Sequence, residues 1–323
     1  MPAELTTDLN RAAEFLRRGE LVAFATETVY GLGANALDVR AVARVFAAKQ
    51  RPFFDPLIVH LSSADELNTV VEDVPKIARQ LIDQFWPGPL TLVLTKKEIV
   101  PDLVTAGLPG VAVRVPDHPQ ARELIRRSGV PVAAPSANPF GRISPTTAEH
   151  VLQHLGNEID LVLDGGPCRI GVESTVLQII PEGAPVLLRP GGLTREAIEA
   201  EIGPICLPEG SRNESESQTA PGQLPKHYAP QKKLIVAEDW RHIPAGSCVG
   251  VLALTFLCRE ASERFGHIET LSATGDLNEA ASNFFAALRR LDDNQKIEVI
   301  YATPFPAHGL GLALNDRLAR AAR

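Results

Sequence analysis

Hydrophobic and polar positions along residues 1–203 predict strands and helices that follow one another in turn. Largely apolar runs of five residues, typical of buried strands, recur along this part of the chain. They span residues 21–25, 57–61, 90–94, 111–115 and 130–134. Apolar residues repeat at helical spacing over residues 9–18, 39–49, 74–85 and 120–127. The alternation indicates an α/β fold, and further β-rich segments at 176–180 and 186–188 favour a mixed sheet over a purely parallel one.

A change of composition near residue 203 divides the chain. Residues 204–230 are rich in Pro, Ser, Glu, Gln and Gly and contain no long apolar run, which is typical of a linker. Apolar strands and amphipathic helices then return, at residues 234–236, 249–256, 277–291, 297–301 and 312–321. We therefore predict a first domain over residues 1–203, a linker over 204–232 and a second, smaller α/β domain over 233–323.

Bulk composition narrows the class of protein. Hydrophobic residues make up 45% and charged residues 22% of the 323 positions, which is ordinary for a globular chain. The net charge of −7 disfavours broad, non-specific binding to nucleic acid, which needs a basic surface. The four cysteines include no Cys-x-x-Cys pair, and no stretch approaches 18 apolar residues. We expect a cytoplasmic protein without a disulfide framework, a zinc site or a membrane span.

Three short stretches combine small hydroxyl and amide side chains with turn-forming Gly or Pro, each directly after an apolar run. They lie within residues 26–33, 135–146 and 164–176. Four basic residues accompany them, namely Lys49, Arg51, Arg114 and Arg189. Because hydroxyl donors, bendable backbone and guanidinium groups suit phosphate oxygens, we predict one shared site for an anionic, phosphate-bearing ligand.

Several of these residues also fit simpler explanations. Lys49 and Arg51 follow a predicted helix, where cations complement the helix dipole, although the two prolines that come next favour rigid presentation to a ligand. His60 lies inside an apolar strand and is compatible with an ordinary buried histidine. Residues 31–36 match a loose G-x-G-x-x-A pattern, but the polar residues before them are unlike a dinucleotide-binding strand.

Three features outside the glycine-containing turns also bear on function. Arg114 stands among Val and Ala, so its guanidinium needs a partner, which is either a ligand carboxylate or an acidic residue of the protein. His150 and His154 are four residues apart, but without a third metal ligand nearby they are interpreted as surface residues. Residues 225–230, Pro-Lys-His-Tyr-Ala-Pro, are interpreted as a segment that folds over a pocket of the first domain.

The order and spacing of these motifs closely resemble those of the two-domain threonylcarbamoyl-AMP synthases, over essentially the whole chain. The matching motifs are Thr-Glu-Thr-Val-Tyr-Gly-Leu-Gly, Lys-x-Arg-Pro, Pro-Leu-Ile-Val-His, Pro-Ser-Ala-Asn, Ser-Pro-Thr, Glu-Ser-Thr-Val, Arg-Pro-Gly-Gly and Lys-His-Tyr-Ala-Pro. The resemblance implies an open, twisted mixed sheet with helices, the YrdC-like fold, followed by a smaller Rossmann-like α/β domain.

The resemblance also implies a nucleotidyltransferase reaction. L-threonine, bicarbonate and ATP would give threonylcarbamoyl-AMP with release of diphosphate and water, for threonylcarbamoyladenosine modification of tRNA. Separate tRNA threonylcarbamoyl-transferase proteins would use the product. Mg²⁺ would arrive with ATP, held mainly by phosphates and water, and the end of the linker would close over the site and exclude water. No catalytic residue and no protein-held metal are implied.

Residue roles follow from the resemblance position by position. The threonine end would be lined by Thr28, His60, Arg114, Ala134 and Ser174. The ATP end would be formed by Lys49, Arg51, Asp55, Gly110, Ser136, Asn138, Ser144, Arg189 and Tyr228. The chain departs from the family pattern at Ala25, where Pro is usual, and at Asp55, where Asn is usual. A carboxylate near a triphosphate is unfavourable unless a cation compensates its charge.

Two other functions stay open on the sequence. A double-stranded RNA- or tRNA-binding protein without catalysis would use a basic cavity to contact tRNA directly. A related carbamoyl-transfer or deacylating enzyme would use the same fold on another adenylate. The small-ligand character of the motifs and the segment 225–230 favour the synthase.

Overall fold

The computed structural model describes residues 2–180, 183–208 and 227–323. The strands of the first part are β1 (Glu4–Thr6), β2 (Val22–Phe24), β3 (Gly31–Asn35), β4 (Ile58–His60), β5 (Leu90–Thr95), β6 (Gly110–Arg114), β7 (Val132–Ala133), β8 (Leu161–Leu163), β9 (Thr175–Gln178) and β10 (Val186–Arg189). Its helices are α1 (Leu9–Arg17), α2 (Val39–Lys49), α3 (Lys76–Phe85), α4 (Asp102–Thr105), α5 (Pro119–Ser128), α6 (Ala148–Leu155) and α7 (Arg195–Ile202).

These strands form one mixed sheet in the order β1-β8-β2-β3-β7-β4-β6-β5-β9-β10. β4 pairs with β6 in parallel, whereas β7 and β5 run antiparallel to β4 and β6 respectively. The register places His60 opposite Arg114 at the carboxyl ends of β4 and β6. The predicted mixed α/β sheet is therefore confirmed, and its pairing brings two distant polar residues side by side.

Helices cover the sheet unequally on its two faces. The largest apolar cluster packs α2, α3 and α6 against one face. On the other face, α1 and α5 pack against β2, β7 and β8. The neighbouring strands on that second face carry a small separate cluster, consisting of Ile58, Val93, Ala112, Val176 and Leu188. The candidate site lies beside this cluster, because Ile58 contributes to both.

Local signals in the sequence explain where α2 begins and ends. The side chain of Asp38 accepts hydrogen bonds from the backbone N–H groups of Arg40 and Ala41, which satisfies donors that a helix start leaves open. The helix ends at Gln50, whose left-handed backbone (φ 52°) reverses the chain. This reversal directs Arg51 back toward the sheet, where it is buried.

Residues 31–35 form strand β3, which excludes the dinucleotide-binding turn that the loose glycine pattern allowed. β3 pairs with β2 on one side and β7 on the other. A Cβ atom at Gly33 would lie 2.7 Å from the ring of Phe24, so close packing against β2 requires glycine at this position.

The second part of the chain forms a separate sheet. Its strands are β11 (Lys233–Val236), β12 (Gly246–Ala253), β13 (Phe265–Thr270) and β14 (Val299–Ala302), and its helices are α8 (Arg259–Ser262), α9 (Leu277–Asp293) and α10 (Gly311–Ala321). The strand order is β11-β14-β12-β13, and all three neighbouring pairs are parallel. Parallel strands with intervening helices confirm the smaller Rossmann-like domain.

The predicted linker is described only at its two ends. Cys206 exchanges backbone hydrogen bonds with residues 185 and 187 beside β10, so the first few linker residues continue the sheet edge. Residues 209–226 lie outside the described part of the chain. The domain limits at 203 and 233 therefore stay a prediction.

The two sheets are joined through a shared apolar cluster. Val29, Ile143 and Val172 of the first part pack together with Phe284 and Phe285 of α9. The backbone of the first part lies close to that of α9 at Gly171, where an added Cβ would lie 2.4 Å from the carbonyl oxygen of Ala281. Gly171 has φ +78°, a backbone conformation that L-residues rarely adopt.

Gly171→Ala is expected to lower the free energy of unfolding by about 2–4 kcal/mol, because it adds backbone strain and overpacks the domain contact. Gly107→Ala is the matched control: Gly107 has the same φ of +78°, but an added Cβ would meet no atom of the described residues within 4 Å. The control should cost only about 1–2 kcal/mol of strain. Chemical denaturation of both variants measures the difference, and equal losses would contradict the close contact.

Candidate active site

A cavity of ≈ 510 Å³ lies where polar residues at the ends of several strands come together, and this volume includes open solvent at its mouth. Its lining includes all five residues predicted for a threonine end, namely Thr28, His60, Arg114, Ala134 and Ser174. It also includes four of those predicted for an ATP end, namely Arg51, Ser136, Arg189 and Tyr228. The remaining lining residues are Thr26, Val29, Gly31, Ile58, Pro135, Glu173 and His227.

Arg114 is fixed at one end of the cavity by three protein groups. Its Nε donates to the carbonyl oxygen of Gly88 at 3.1 Å, and its Nη1 donates to Oγ1 of Thr28 at 3.0 Å. Its Nη2 lies 2.5 Å from Oε1 of Glu27, a carboxylate whose side chain is only 1% exposed. The acidic partner that a buried arginine needs is thus Glu27, a residue that the sequence analysis did not single out.

His60 lies beside Arg114 as an uncharged ring. Its Nδ1 is 3.2 Å from the carbonyl oxygen of Ile58. Burial, together with the positive charge of Arg114, lowers the pKa of His60 to about 3. The imidazole is therefore neutral at physiological pH and adds polar contacts to the cavity without adding charge.

Arg51 and Asp55 form a buried ion pair at the other end. Nη2 of Arg51 lies 2.9 Å from Oδ2 of Asp55 and also donates to the carbonyl oxygen of Pro56 at 2.8 Å. Burial raises the pKa of the Asp55 carboxyl, while Arg51 opposes that rise. The negative charge that was unexpected at Asp55 is compensated by Arg51, and Asp55 lies behind Arg51 rather than in the cavity lining.

Lys49 and Asn138 support the cavity wall through bonds to the backbone behind it. Nζ of Lys49 donates to the carbonyl oxygens of Ser136, at 2.6 Å, and of Asn138. Nδ2 of Asn138 donates to the carbonyl oxygens of Pro139 and Arg142 at 3.0 and 2.8 Å. Both side chains fix the loop that presents Ser136, and neither belongs to the lining. Burial, together with the positive charge of Arg51, lowers the pKa of Lys49 well below its ordinary value.

Ser174, directly before β9, meets Arg189 at the end of the neighbouring strand β10, and both line the cavity. Nη2 of Arg189 donates to the carbonyl oxygen of Ser174 at 2.8 Å and lies 3.2 Å from its Oγ. The hydroxyl of Ser174 also contacts Oγ1 of Thr91 at 2.7 Å. These bonds hold a hydroxyl and a guanidinium group at one place, as the predicted ligand requires.

Ser144 and Gly110 lie outside the cavity lining. Oγ of Ser144 donates to Oε1 of Glu173 at 2.6 Å, and Glu173 itself lines the cavity. Gly110 begins β6, four residues before Arg114 on the same face of the strand. The structure thus places Ser144 one contact away from the cavity and Gly110 at the opposite end of β6 from Arg114.

Two residues at the end of the predicted linker, His227 and Tyr228, line the cavity. Tyr228, with a left-handed backbone (φ 63°), packs its ring against Phe285 at 5.7 Å between centroids. Burial raises the pKa of Tyr228 to about 12, so the phenol is neutral. His227 is buried against Phe140 and Tyr228, and burial beside Arg51 lowers its pKa well below the ordinary value. Residues 225 and 226 lie outside the described part of the chain, and the interpretation of residues 225–230 as a cover stays a prediction.

The arrangement suits one elongated anionic ligand. Three guanidinium groups, of Arg51, Arg114 and Arg189, line one continuous cavity.

In the part of the chain that the structure describes, no three His, Cys, Asp or Glu side chains come together as a metal site. His150 and His154 are half-buried rather than surface residues, since His154 contacts Arg289 of α9. No described helix is long and apolar enough to cross a membrane.

The sequence analysis missed Glu27, Glu173, His227 and Arg317. Glu27 and Glu173 stand inside recognised motifs, directly before the predicted residues Thr28 and Ser174. Their positions could therefore have indicated that they lie near the site. His227 stands next to Tyr228 in the proposed cover. Arg317 gave no signal, because a single arginine in an amphipathic C-terminal helix is indistinguishable from a surface charge.

Comparisons with known proteins agree with this architecture. A family model described as "Telomere recombination" (Sua5_yciO_yrdC) matches residues 14–191, and one described as "Threonylcarbamoyl-AMP synthase, C-terminal domain" matches residues 193–323. A threonylcarbamoyl-AMP synthase of Bacillus subtilis is 44% identical over 99% of this chain and 95% of the relative. One of Pyrococcus abyssi is 46% identical over 96% and 92%.

A crystal structure of P. abyssi Sua5 complexed with L-threonine superposes with a TM-score of 0.88 at 40% identity, covering 100% of this chain and 98% of the other. The resemblance read from the motifs is thereby confirmed, and an RNA-binding protein without catalysis is not favoured. The chain belongs to the family of threonylcarbamoyl-AMP synthases, enzymes that make an adenylate.

Proposed function

We propose that the cavity beneath Tyr228 is where this protein joins L-threonine, bicarbonate and ATP into threonylcarbamoyl-AMP, with release of diphosphate and water. The observation that carries the location is a single cavity lined by Arg114, His60, Arg51 and Arg189. We assign Arg114 and His60 to its threonine end and Arg51 and Arg189 to its ATP end. One end suits a carboxylate and the other suits phosphates.

At the threonine end, Arg114 binds the substrate carboxylate. A guanidinium has five N–H donors, and three protein groups contact it here, so it keeps donors for a ligand. Glu27 balances part of its charge and holds its orientation. Thr28, His60, Ala134 and Ser174 complete this end, and a neutral His60 adds no repulsion toward a substrate amine.

At the ATP end, Arg51 and Arg189 neutralise the triphosphate, and Ser136 and Tyr228 add polar contacts. Lys49, Asn138, Asp55 and Ser144 act behind the wall, by holding the loops that carry these groups. Gly110 lies about 13 Å from Arg114 along β6, from four residues at about 3.3 Å each. A Cβ atom at Gly110 would lie 3.0 Å from Cγ1 of Val93, so the close packing of β6 on β5 favours glycine there.

The chemistry needs positioning rather than a protein nucleophile. The carboxylate of N-carboxy-threonine attacks the α-phosphorus of ATP, diphosphate leaves, and the arginines stabilise the charge that builds on the phosphate oxygens. Mg²⁺ arrives with ATP and supplies further neutralisation. Glu173 is not a ready ligand for it, because both carboxylate oxygens already accept bonds from Ser144 and Arg317. Mg²⁺ bound with ATP would be held mainly by phosphates and water.

Residues 227–228 close the cavity at the end of the linker 204–232, which joins a catalytic domain over 1–203 to a second domain over 233–323. A closed site protects a carbamate and a mixed anhydride from water. Four unpaired cysteines support a cytoplasmic location. The product would pass to separate tRNA threonylcarbamoyl-transferase proteins, which make the contact with tRNA.

The test is diphosphate release by the purified protein with ATP, Mg²⁺, L-threonine and ¹³C-bicarbonate, with the product mass read by mass spectrometry. We expect release that requires both co-substrates and a threonylcarbamoyl-adenylate that carries the label. D-threonine is the control that should give no product. Release that ignores threonine would point to another adenylate, and salt-dependent tRNA binding without ATP turnover would point to the RNA-binding alternative.

A further inference from the structure

A buried ion pair connects the C-terminal helix α10 to the active site. Nε of Arg317 donates to Oε2 of Glu173 at 2.9 Å, and the Arg317 side chain is 0% exposed. Its Nη1 donates to the carbonyl oxygen of Pro190 at 2.6 Å. The other carboxylate oxygen of Glu173 accepts the hydroxyl of Ser144 at 2.6 Å. One side chain of the second domain is therefore bonded to two separate segments of the first domain's site.

The electrostatic balance of Glu173 depends on this contact. Burial alone would raise the pKa of the Glu173 carboxyl, but the guanidinium groups of Arg317 and Arg189 outweigh it and hold the pKa below the ordinary value. Glu173 is thus an anion in the cavity wall. Without Arg317, that charge would face the proposed triphosphate with less compensation, and like charges at short range repel strongly in a buried site.

Arg317 also supports the cover of the cavity. Its guanidinium lies 5.3 Å from the ring centroid of Tyr228, within the range of a cation–π contact. Phe285 of α9 packs against another part of the same ring. Two helices of the second domain therefore form the surface on which Tyr228 rests. Arg317 thus contacts Tyr228 directly and Ser144 through Glu173, and both Tyr228 and Ser144 are assigned above to the ATP end.

We propose that Arg317 is a positioning residue for ATP: it fixes the Glu173 carboxylate, and through it Ser144, and supports Tyr228 over the cavity. Arg317 does not touch the substrate itself. The proposal rests on the assignment of the ATP end given above, and it gives the second domain a defined part in the reaction. Loss of Arg317 should therefore weaken ATP binding and change threonine binding much less.

The experiment compares Arg317→Met, Arg317→Lys and the control Arg290→Met by steady-state diphosphate release, varying ATP and threonine separately. Arg290 is matched because it lies on α9 of the same domain and pairs with Glu269 at the exposed surface. We expect Arg317→Met to raise KM for ATP by about tenfold or more, from a lost charge-assisted bond, with KM for threonine within about twofold. Arg317→Lys should recover part of the loss, and Arg290→Met should match the wild type.

Glu173→Gln, made alone and in combination with Arg317→Met, tests whether Arg317 acts through Glu173. If it does, the double variant raises KM for ATP severalfold, but no further than Arg317→Met alone. This variant also carries the test if Arg317→Met fails to fold, because it leaves no uncompensated carboxylate in the interior.

Three results would overturn the proposal: an unchanged KM for ATP with only a lower melting temperature, equal losses for ATP and threonine, or effects of the two substitutions that multiply. Failure of the proposed function would be seen separately, as a wild-type protein without threonine-dependent diphosphate release.

Discussion

Replacing Arg51 by alanine in an Asp55→Asn background is expected to lower kcat/KM for ATP by about 10²–10³-fold while the protein stays folded. Arg51 lies in the wall of the proposed phosphate end, and a guanidinium that offsets charge building on the phosphate oxygens stabilises the transition state directly. Steady-state diphosphate release at saturating threonine and bicarbonate measures the effect.

The second substitution is needed because Asp55 is fully buried and contacts Arg51 at 2.9 Å. Arg51→Ala alone would leave that carboxylate without its partner, a change that costs about 3–5 kcal/mol in a protein interior. Asp55→Asn by itself is the control. It keeps the shape of the side chain, and both backbone-directed bonds of Arg51 remain possible. We expect it to stay near wild-type activity, and a fully active double variant would refute the assignment of Arg51.

A chain that ends after Pro208 is expected to keep the large sheet and to lose at least about 100-fold in synthase activity. The sheet and the helices on both its faces precede this point, and their two main apolar clusters use only residues of the first part. The shortened chain lacks Tyr228 over the cavity and Arg317 beside Glu173. Circular dichroism measures the fold, and diphosphate release measures the activity.

The matched control is the full-length chain with Tyr228→Ala and Arg317→Met. If these two side chains account for the contribution of the second domain, the control should lose activity to a similar extent as the shortened chain. A shortened chain as active as the whole protein would show that neither the cover nor Arg317 matters. A folded, inactive fragment beside an active double variant would mean that other contacts of the second domain are responsible.

Local sequence was sufficient for most elements of the fold. The apolar positions of α2 are inward as the helical spacing indicates, and Val42, Val45 and Phe46 are all buried. The parallel strands β4 and β6 carry near-continuous apolar residues, as strands covered on both faces do. β3 was not predicted, because Gly31 and Gly33 disfavour strands by propensity. Only the tertiary packing of Phe24 and Val132 around Gly33 explains why glycine is needed there.

Site residues were predictable where their type is unusual for its surroundings. Arg114 and His60 interrupt apolar strands, and both line the cavity. Lys49 and Asn138 were predicted at the same site, yet Nζ of Lys49 and Nδ2 of Asn138 donate to backbone carbonyl oxygens. A sequence indicates that a polar group needs partners, but it does not indicate whether a ligand or the chain itself will provide them.

By itself, the sequence determined the family, the two α/β units and nine of the fourteen predicted residues in the cavity wall, because these follow from periodicity and from motifs of fixed spacing. Only the tertiary structure decided that Glu27 partners Arg114, that Asp55 partners Arg51 and that Arg317 reaches Glu173. The last pair is separated by 144 positions along the chain. The physical reason is that a buried charge is defined by its neighbours in space, and packing of one domain on another brings together residues that no local pattern relates.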